Sequence, residues 1–356
     1  MASSFGERLT FEAEWYDKVA SMLRKFYLYY FPADNTVELV CKIYRSFDIG
    51  IDFLGYFFFL ANFELRQSQK KNHFRTFAMI KPDAMSRIGE ILKLATNHDF
   101  HISNMKMVRL TEQEVEDFSK LLKKYLTSGP LLAIELLGDN CIERWRQLIG
   151  PRDSAKAREE APTSLRACYG KDSVINAVHG AEDHENAEKE LEFFFPDPKS
   201  KRKGPANTAT LKNCTCCIVK PHAVQARLTG HIIESISKAG YEISAIQQFY
   251  VDPINVEEFL EVYKGVLPEY SAMVAELQSG PCIAMEITHK DPTIEVPVEF
   301  RKFCGPMDPD IARQVRPGTL RAKYGKTKIQ NAVHCSDLPE DGLLEVEYFF
   351  KILAEG

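Results

Sequence analysis

With 356 residues the chain exceeds what one ordinary core fills, and at roughly 100–200 residues per domain two or three domains are expected. Hydrophobic residues at 45% and charged residues at 27%, with 19 Gly and 18 Pro, exclude collagen, wholesale disorder and a membrane-embedded chain. A net charge of -5 lacks the basic footprint of a nucleic-acid binder, so a bound polyanion must be held locally.

The first residues, MASSFGERLTFEAEWYD, carry acids early and lack a basic start with an apolar stretch, which predicts a cytosolic chain. Nine Cys in no framework spacing fit reduced thiols in a reducing compartment. The segment LRKFYLYYFPADNTVEL alternates aromatic and polar residues like a strand pair around a turn, with Phe26, Tyr27, Tyr29, Tyr30 and Phe31 as sheet core. The apolar run FLGYFFFLANF is bracketed by Asp48, Asp52 and Glu64 and falls short of the about 20 residues that cross a bilayer, so it reads as buried strand. Residues 1–75 are therefore expected to form a small β-rich module.

A repeat organises the rest. FAMIKPDAMSRIGEILKLATNHDFHISNMKMVRLT, from Phe77, returns as CCIVKPHAVQARLTGHIIESISKAGYEISAIQQFYV, from Cys216. Each copy continues through SGP, an Arg ahead of a Gly-Pro, an LRA-x-YG segment, NAVH and an aromatic run. Two copies of one domain are expected over 76–195 and 214–356. Between them 196–213, beginning PDPKSKRKGPANTAT, reads as a linker whose basic run at Lys199 to Lys203 is a solvated stretch.

Within each copy a β-rich run (Thr76 to Ile80; Cys216 to Val219) leads into a helix with apolar face Ile88, Ile91, Leu92, Ala95 or Leu228, Ile232, Ile233, Ile236. A strand, a helical stretch and an apolar strand after SGP (Leu131 to Leu137; Cys282 to Ile287) follow, then more helix and a last strand at Leu191 to Phe195 or Val346 to Phe350. The order βαββαβ is the ferredoxin-like pattern of an α+β fold, predicting a four-stranded antiparallel sheet with helices on one face.

The chemistry-bearing residues of the second copy are Lys220, Arg301, Arg321, Asn331, His334, Ser336 and Glu345. A neutral imidazole attacks phosphorus near pH 7 without prior deprotonation, so His334 is a credible covalent phosphate carrier. Glu345 on the opposite ring nitrogen would fix the tautomer, and Ser336 would orient that carboxylate. Phosphoryl transfer spreads charge over three oxygens and calls for cations, which Arg301, Arg321 and Lys220 supply, while Asn331 suits a sugar hydroxyl. Mg²⁺ would ride on the phosphates. Cys214, Cys216 and Cys217 lack a second ligand pair and fall in a strand, which argues against metal.

These motifs, KP-[DH], SGP, R-x-x-x-G, the LRA segment and N-x-x-H-x-S-D, resemble the nucleoside diphosphate kinase family along nearly the whole of both copies. The resemblance implies a ping-pong transfer from ATP or GTP to a nucleoside diphosphate, with Mg²⁺ and His334 as phosphohistidine. It implies that Lys220 and Asn331 touch ribose and phosphates, that Arg301 and Arg321 clamp phosphates, and that Ser336 and Glu345 orient the ring. A β module before two kinase copies is similar to the family's ciliary member. That implies the axonemal doublet microtubules or the centrosome, with tubulin and other axonemal or centrosomal proteins as partners and neither nucleic acid nor membrane.

Departures separate the copies. The first keeps Lys81, Arg146, Arg166, Asn176, His179 and Glu190, but Ala181 stands for Ser336 and Glu182 for Asp337. Lys81 and Gly129 lie 48 positions apart, whereas Lys220 and Gly280 lie 60 apart, so the first copy lacks twelve residues of the hairpin against which the family stacks the base. It reads as inactive. The second copy has Met307 at the family's phosphate-binding Thr and only Tyr263 and Tyr270 as base-stacking rings. Two functions follow: a kinase acting through His334, or a structural protein of the axoneme with vestigial activity. Internal pairing of the copies predicts a monomer with a pseudo-dimeric core.

Overall fold

The structure, a computed structural model, describes residues 75–118, 123–197, 199–200 and 202–355. The β module expected at 1–75 and its aromatic stripe lie outside them, apart from Arg75.

The first half contributes strands β1 (Arg75–Ile80), β2 (His101–Val108), β3 (Leu131–Leu137) and β4 (Val178–Gly180). The second contributes β5 (Thr215–Val219), β6 (Tyr241–Phe249), β7 (Cys282–His289) and β8 (Val333–Cys335). All eight form one antiparallel sheet in the order β4-β1-β3-β2-β6-β7-β5-β8. Each half is thus a ferredoxin-like α+β unit, and the two orders mirror each other about a seam where Lys106 of β2 pairs with Gln247 of β6.

Two expectations change. The sheet is covered on both faces rather than one. On β3, Leu132, Ile134 and Leu136 join a core shared by both halves, while Leu131 and Ala133 join a separate cluster with Val115, Leu126 and Phe194. The cause is visible in LLAIELL, apolar on both faces but for Glu135, and in TCCIV, apolar after its Thr, near-continuous runs of the kind that doubly covered strands carry. The aromatic runs read as last strands are helical instead: Leu191 to Phe194 closes the helix His184–Phe194, and Val346 lies in Asp341–Glu347, which continues into a π turn at Tyr348–Ile352. Ala187, Leu191 and Phe194 are buried at helical spacing, while Lys189 and Glu192 between them are exposed. The closing strands are the three-residue segments that carry the histidines.

The halves meet through the helices Ile88–Asn97 and Thr229–Lys238. Gly89 and Gly230 hold equivalent places in the repeat, and each lets the opposite backbone approach: an added Cβ would come 2.5 Å from Glu234 N or from Lys93 N. One turn further on, Lys93 Nζ meets Glu234 Oε2 at 2.7 Å. At the rim, Arg227 pairs with Asp99 at 2.7 Å.

The stretch between the halves is only partly a tether. Thr210 and Leu211 donate backbone N–H groups to Glu286 at 2.7 and 2.6 Å, Ser244 donates its hydroxyl to the same carboxylate, and Asn207 Nδ2 reaches Phe350 O at 2.8 Å. Glu286 is fully buried in β7, so these donors compensate a charge that burial would otherwise penalise heavily.

Candidate active site

In each copy the sequence Asn-Ala-Val-His turns into a short edge strand. Ala332 and Ala177, at φ of 72° and 67°, sit in the left-handed region that costs a non-glycine residue of order 1–3 kcal/mol, and the surrounding contacts must hold them there. The turn places Asn331 on one side of the kink and His334 on the other, opposite Ile218 of β5.

His334 Nε2 lies 2.9 Å from Glu345 Oε2, and Ser336 Oγ donates to the same oxygen at 2.7 Å. Ser336 in turn accepts the Cys216 N–H at 3.3 Å, which ties the carboxylate to the sheet. With Nε2–H donated to Glu345, Nδ1 keeps its lone pair. Burial disfavours the charged ring, yet the Glu345 carboxylate outweighs it and holds the His334 pKa above its ordinary value. The Phe259 ring packs edge-on to the imidazole, its centroid 5.2 Å away.

Lys220 is almost wholly buried and donates to Ile329 O at 2.9 Å. Burial, and then the Arg321 charge, bring its pKa down to about 7. Asn331 Nδ2 donates to Met307 O at 2.9 Å, whereas its Oδ1 is buried with no partner among the described residues. An unsatisfied acceptor of this kind costs of order 1–3 kcal/mol unless a ligand donor meets it.

The two arginines differ. Arg301 is half exposed and touches Asp337 at 3.1 Å, free to exchange that contact for an incoming anion. Arg321 is buried, its guanidinium donating to Val333 O, Gly305 O and Cys335 Sγ at 3.2, 2.9 and 3.6 Å. It does not present the open fork the sequence suggests; it braces the strand carrying His334 and supplies positive charge from behind. Tyr263 donates to Asp337 at 2.7 Å, so of the two candidate rings this one reaches the site's polar groups; Tyr270 packs against the core with Lys264 over its ring.

The first half repeats the frame with fewer parts. His179 Nε2 is 2.8 Å from Glu190 Oε1, but Ala181 offers no hydroxyl and Glu190 Oε2 is buried without a partner among the described residues. Lys81 donates to Asn176 Oδ1 at 2.6 Å, closing the acceptor that Asn331 leaves open. Arg146 donates to Glu182 O, and Arg166 to Gly150 O and Val178 O. A cavity of about 1220 Å³ opens here, lined by Lys81, Arg146, Arg152, Arg166 and His179. Burial, Arg152 and Arg146 lower the Arg166 pKa to about 10, and burial and Arg166 lower Lys81 to about 8, the mark of a strongly positive cleft.

Sequence reasoning missed Phe259 and Arg152. Arg152 occupies the position of Met307 after Gly-Pro and was findable by aligning the copies; Phe259 lies outside every motif, 75 positions from the histidine it touches. Among the described residues no cluster of three His, Cys, Asp or Glu could hold a metal ion, and no helix is long and apolar enough to cross a membrane.

Two histidine-centred sites on paired ferredoxin-like units define the class: the nucleoside diphosphate kinase family profile matches residues 74–199 and 213–353, and the chain belongs to that family. It is 48% identical to nucleoside diphosphate kinase homolog 7 of Rattus norvegicus and 46% identical to that of Mus musculus, in each case over 98% of this chain and 94% of the relative. It is also 34% identical to thioredoxin domain-containing protein 6 of Xenopus laevis, over 82% of this chain and 46% of that protein.

Proposed function

We propose that the second half transfers the γ-phosphoryl group of ATP or GTP to a nucleoside diphosphate through a phosphohistidine at His334. The observation that carries this reading is the chain Ser336–Glu345–His334, which commits Nε2 as donor and leaves the Nδ1 lone pair as nucleophile. Nδ1 bonds to the γ-phosphorus as the bond to the β–γ bridging oxygen breaks and the diphosphate departs; the second substrate reverses the step. Glu345 offsets charge on the ring, Lys220 and Arg301 meet the phosphate oxygens, Arg321 adds its field, and Asn331 Oδ1 accepts from a sugar hydroxyl. Mg²⁺, used by the family, fits this donor set as an ion delivered on the phosphates, where it neutralises charge.

In the same proposal the chain divides into a module at 1–75, an inactive kinase-like unit at 76–195, a connection at 196–213 and an active unit at 214–356. The first unit's loss rests on Ala181 and the unpartnered Glu190 oxygen. γ-labelled ATP should place acid-labile, alkali-stable label on the wild type and on His179→Ala. His334→Ala should remain unlabelled, and added GDP should remove the label. An unlabelled wild type overturns the reading.

A second reading, a structural role in axonemal doublets or at the centrosome beside tubulin, is favoured by the seam that welds one degraded and one complete unit into a single sheet. Deleting 1–75 should then abolish microtubule association and leave labelling intact; unchanged association counts against it.

A further inference from the structure

The left-handed alanine before each histidine is held by a side chain two residues after the active-site lysine, and the copies do this with different chemistry. In the first half, Ala177 N–H donates to Asp83 Oδ2 at 3.1 Å, and Tyr125 donates its hydroxyl to the other oxygen. In the second half both positions are replaced. Ala332 N–H donates to His222 Nε2 at 3.2 Å, and His222 Nδ1 lies 2.6 Å from Glu276 Oε1, which also accepts the His222 backbone N–H. Tyr125 and Glu276 stand at the same place in the repeat, three residues before the Ser of Ser-Gly-Pro, so the exchange is of a matched pair. The imidazole and the carboxylate are both buried.

The hydrogen bonds dictate one protonation state. Nε2 accepts, so it carries no proton; Nδ1 then carries it and donates to Glu276. We propose that the His222–Glu276 pair is the positioning device of the second site, its neutral imidazole holding the Ala332 amide and through it the placement of Asn331 and His334. The proposal rests on the phosphotransfer reading of that site and adds a residue pair to it that touches no substrate.

A proton on Nε2 turns the acceptor into a donor facing another donor, which releases Ala332. In the first half the acceptor at this point is a carboxylate oxygen of Asp83 instead. The groups around His222 are few. Lys220 caps its own helix, with Arg321 behind; Glu276 and, through it, Gln330 face the ring from the hairpin and the loop before β8. Cys282 lies on β7, which packs on the same helix, and burial pushes its thiol up to about 12, so it stays neutral. Burial works to raise the Glu276 carboxyl, but the His222 hydrogen bonds outweigh it and hold it below the ordinary range, so Glu276 stays the acceptor for Nδ1–H.

The test uses the full chain, with the rate of His334 labelling by γ-labelled ATP and hydrogen exchange of the Ala332 amide as readouts. His222→Ala should slow labelling by about tenfold or more, the factor expected when a buried amide loses its acceptor, and should deprotect Ala332. The double variant His222→Asp with Glu276→Tyr, which installs the first half's pair, should restore labelling to within about threefold of wild type. It should also restore protection of the Ala332 amide from exchange. Wild-type labelling and protection in a folded His222→Ala overturn the proposal. So does a stably folded double variant that is no better than His222→Ala, or that leaves the Ala332 amide unprotected. If the wild type takes no label, the phosphotransfer reading fails; the positioning role is then decided by whether Ala332 protection depends on His222.

Discussion

At the scale of single residues, the electrostatics of the second site set its pH response. Because Glu345 holds the His334 ring pKa above its ordinary value, the neutral, nucleophilic fraction is lost earlier as pH falls than for a free imidazole. Labelling should therefore decline on an acid limb that begins above the ordinary histidine value of about 6.5. Glu345→Gln should move that limb to lower pH while reducing the plateau rate; a limb that stays in place would refute the coupling. Lys220 gives a second signature. In the free protein burial and Arg321 bring it down to about 7, and a polyphosphate would restore its charge. Nucleotide binding near pH 7 should thus take up about half a proton, measurable by calorimetry in buffers of different ionisation enthalpy, and affinity should weaken as pH rises. In the first half, Ala181→Ser would add to the Glu190 carboxylate the hydroxyl donor that Ser336 gives Glu345. It should stabilise the protein by about 1 kcal/mol in denaturant unfolding.

At the scale of elements, what could be read in advance follows from the range of the signal. Strands β1, β3, β5 and β7 were legible because each is a short apolar run next to a KP or SGP punctuation, and the crossing helices because their apolar faces recur at helical spacing. The triad of His334, Ser336 and Glu345 was legible as a juxtaposition because the three lie within twelve residues on one strand-turn-helix. The closing strands were misplaced because three-residue strands carry too little pattern, whereas Phe193 to Phe195 and Phe349 to Phe350 look β-rich by composition. The His222–Glu276 contact was invisible since 54 positions separate the partners and neither belongs to a catalytic motif. Arg321 was read as an open clamp because sequence shows a charge but not the backbone carbonyls that already occupy its fork.

At the scale of the whole molecule, the seam is the feature on which the common core depends. Gly230→Ala would force a Cβ to within 2.5 Å of the Lys93 backbone nitrogen, with no flexible side chain to yield. A cost on the order of 1–3 kcal/mol is expected, seen as a lowered melting temperature and, since the two halves share one core, as a transition that splits in two. A similar change at Gly318, where an added Cβ meets nothing within 4 Å, should leave the melting curve in place.

The ion pair at the seam also has a bearing on which units can join. Lys93 and Glu234 hold the same position in the two copies, four residues after the crossing glycine, so the contact between unlike copies joins opposite charges. Two first units brought together in the same way would set lysine against lysine, and two second units glutamate against glutamate. Produced as separate polypeptides and mixed, the units should sort into one-to-one heterodimers, and reversing either charge should scramble that sorting.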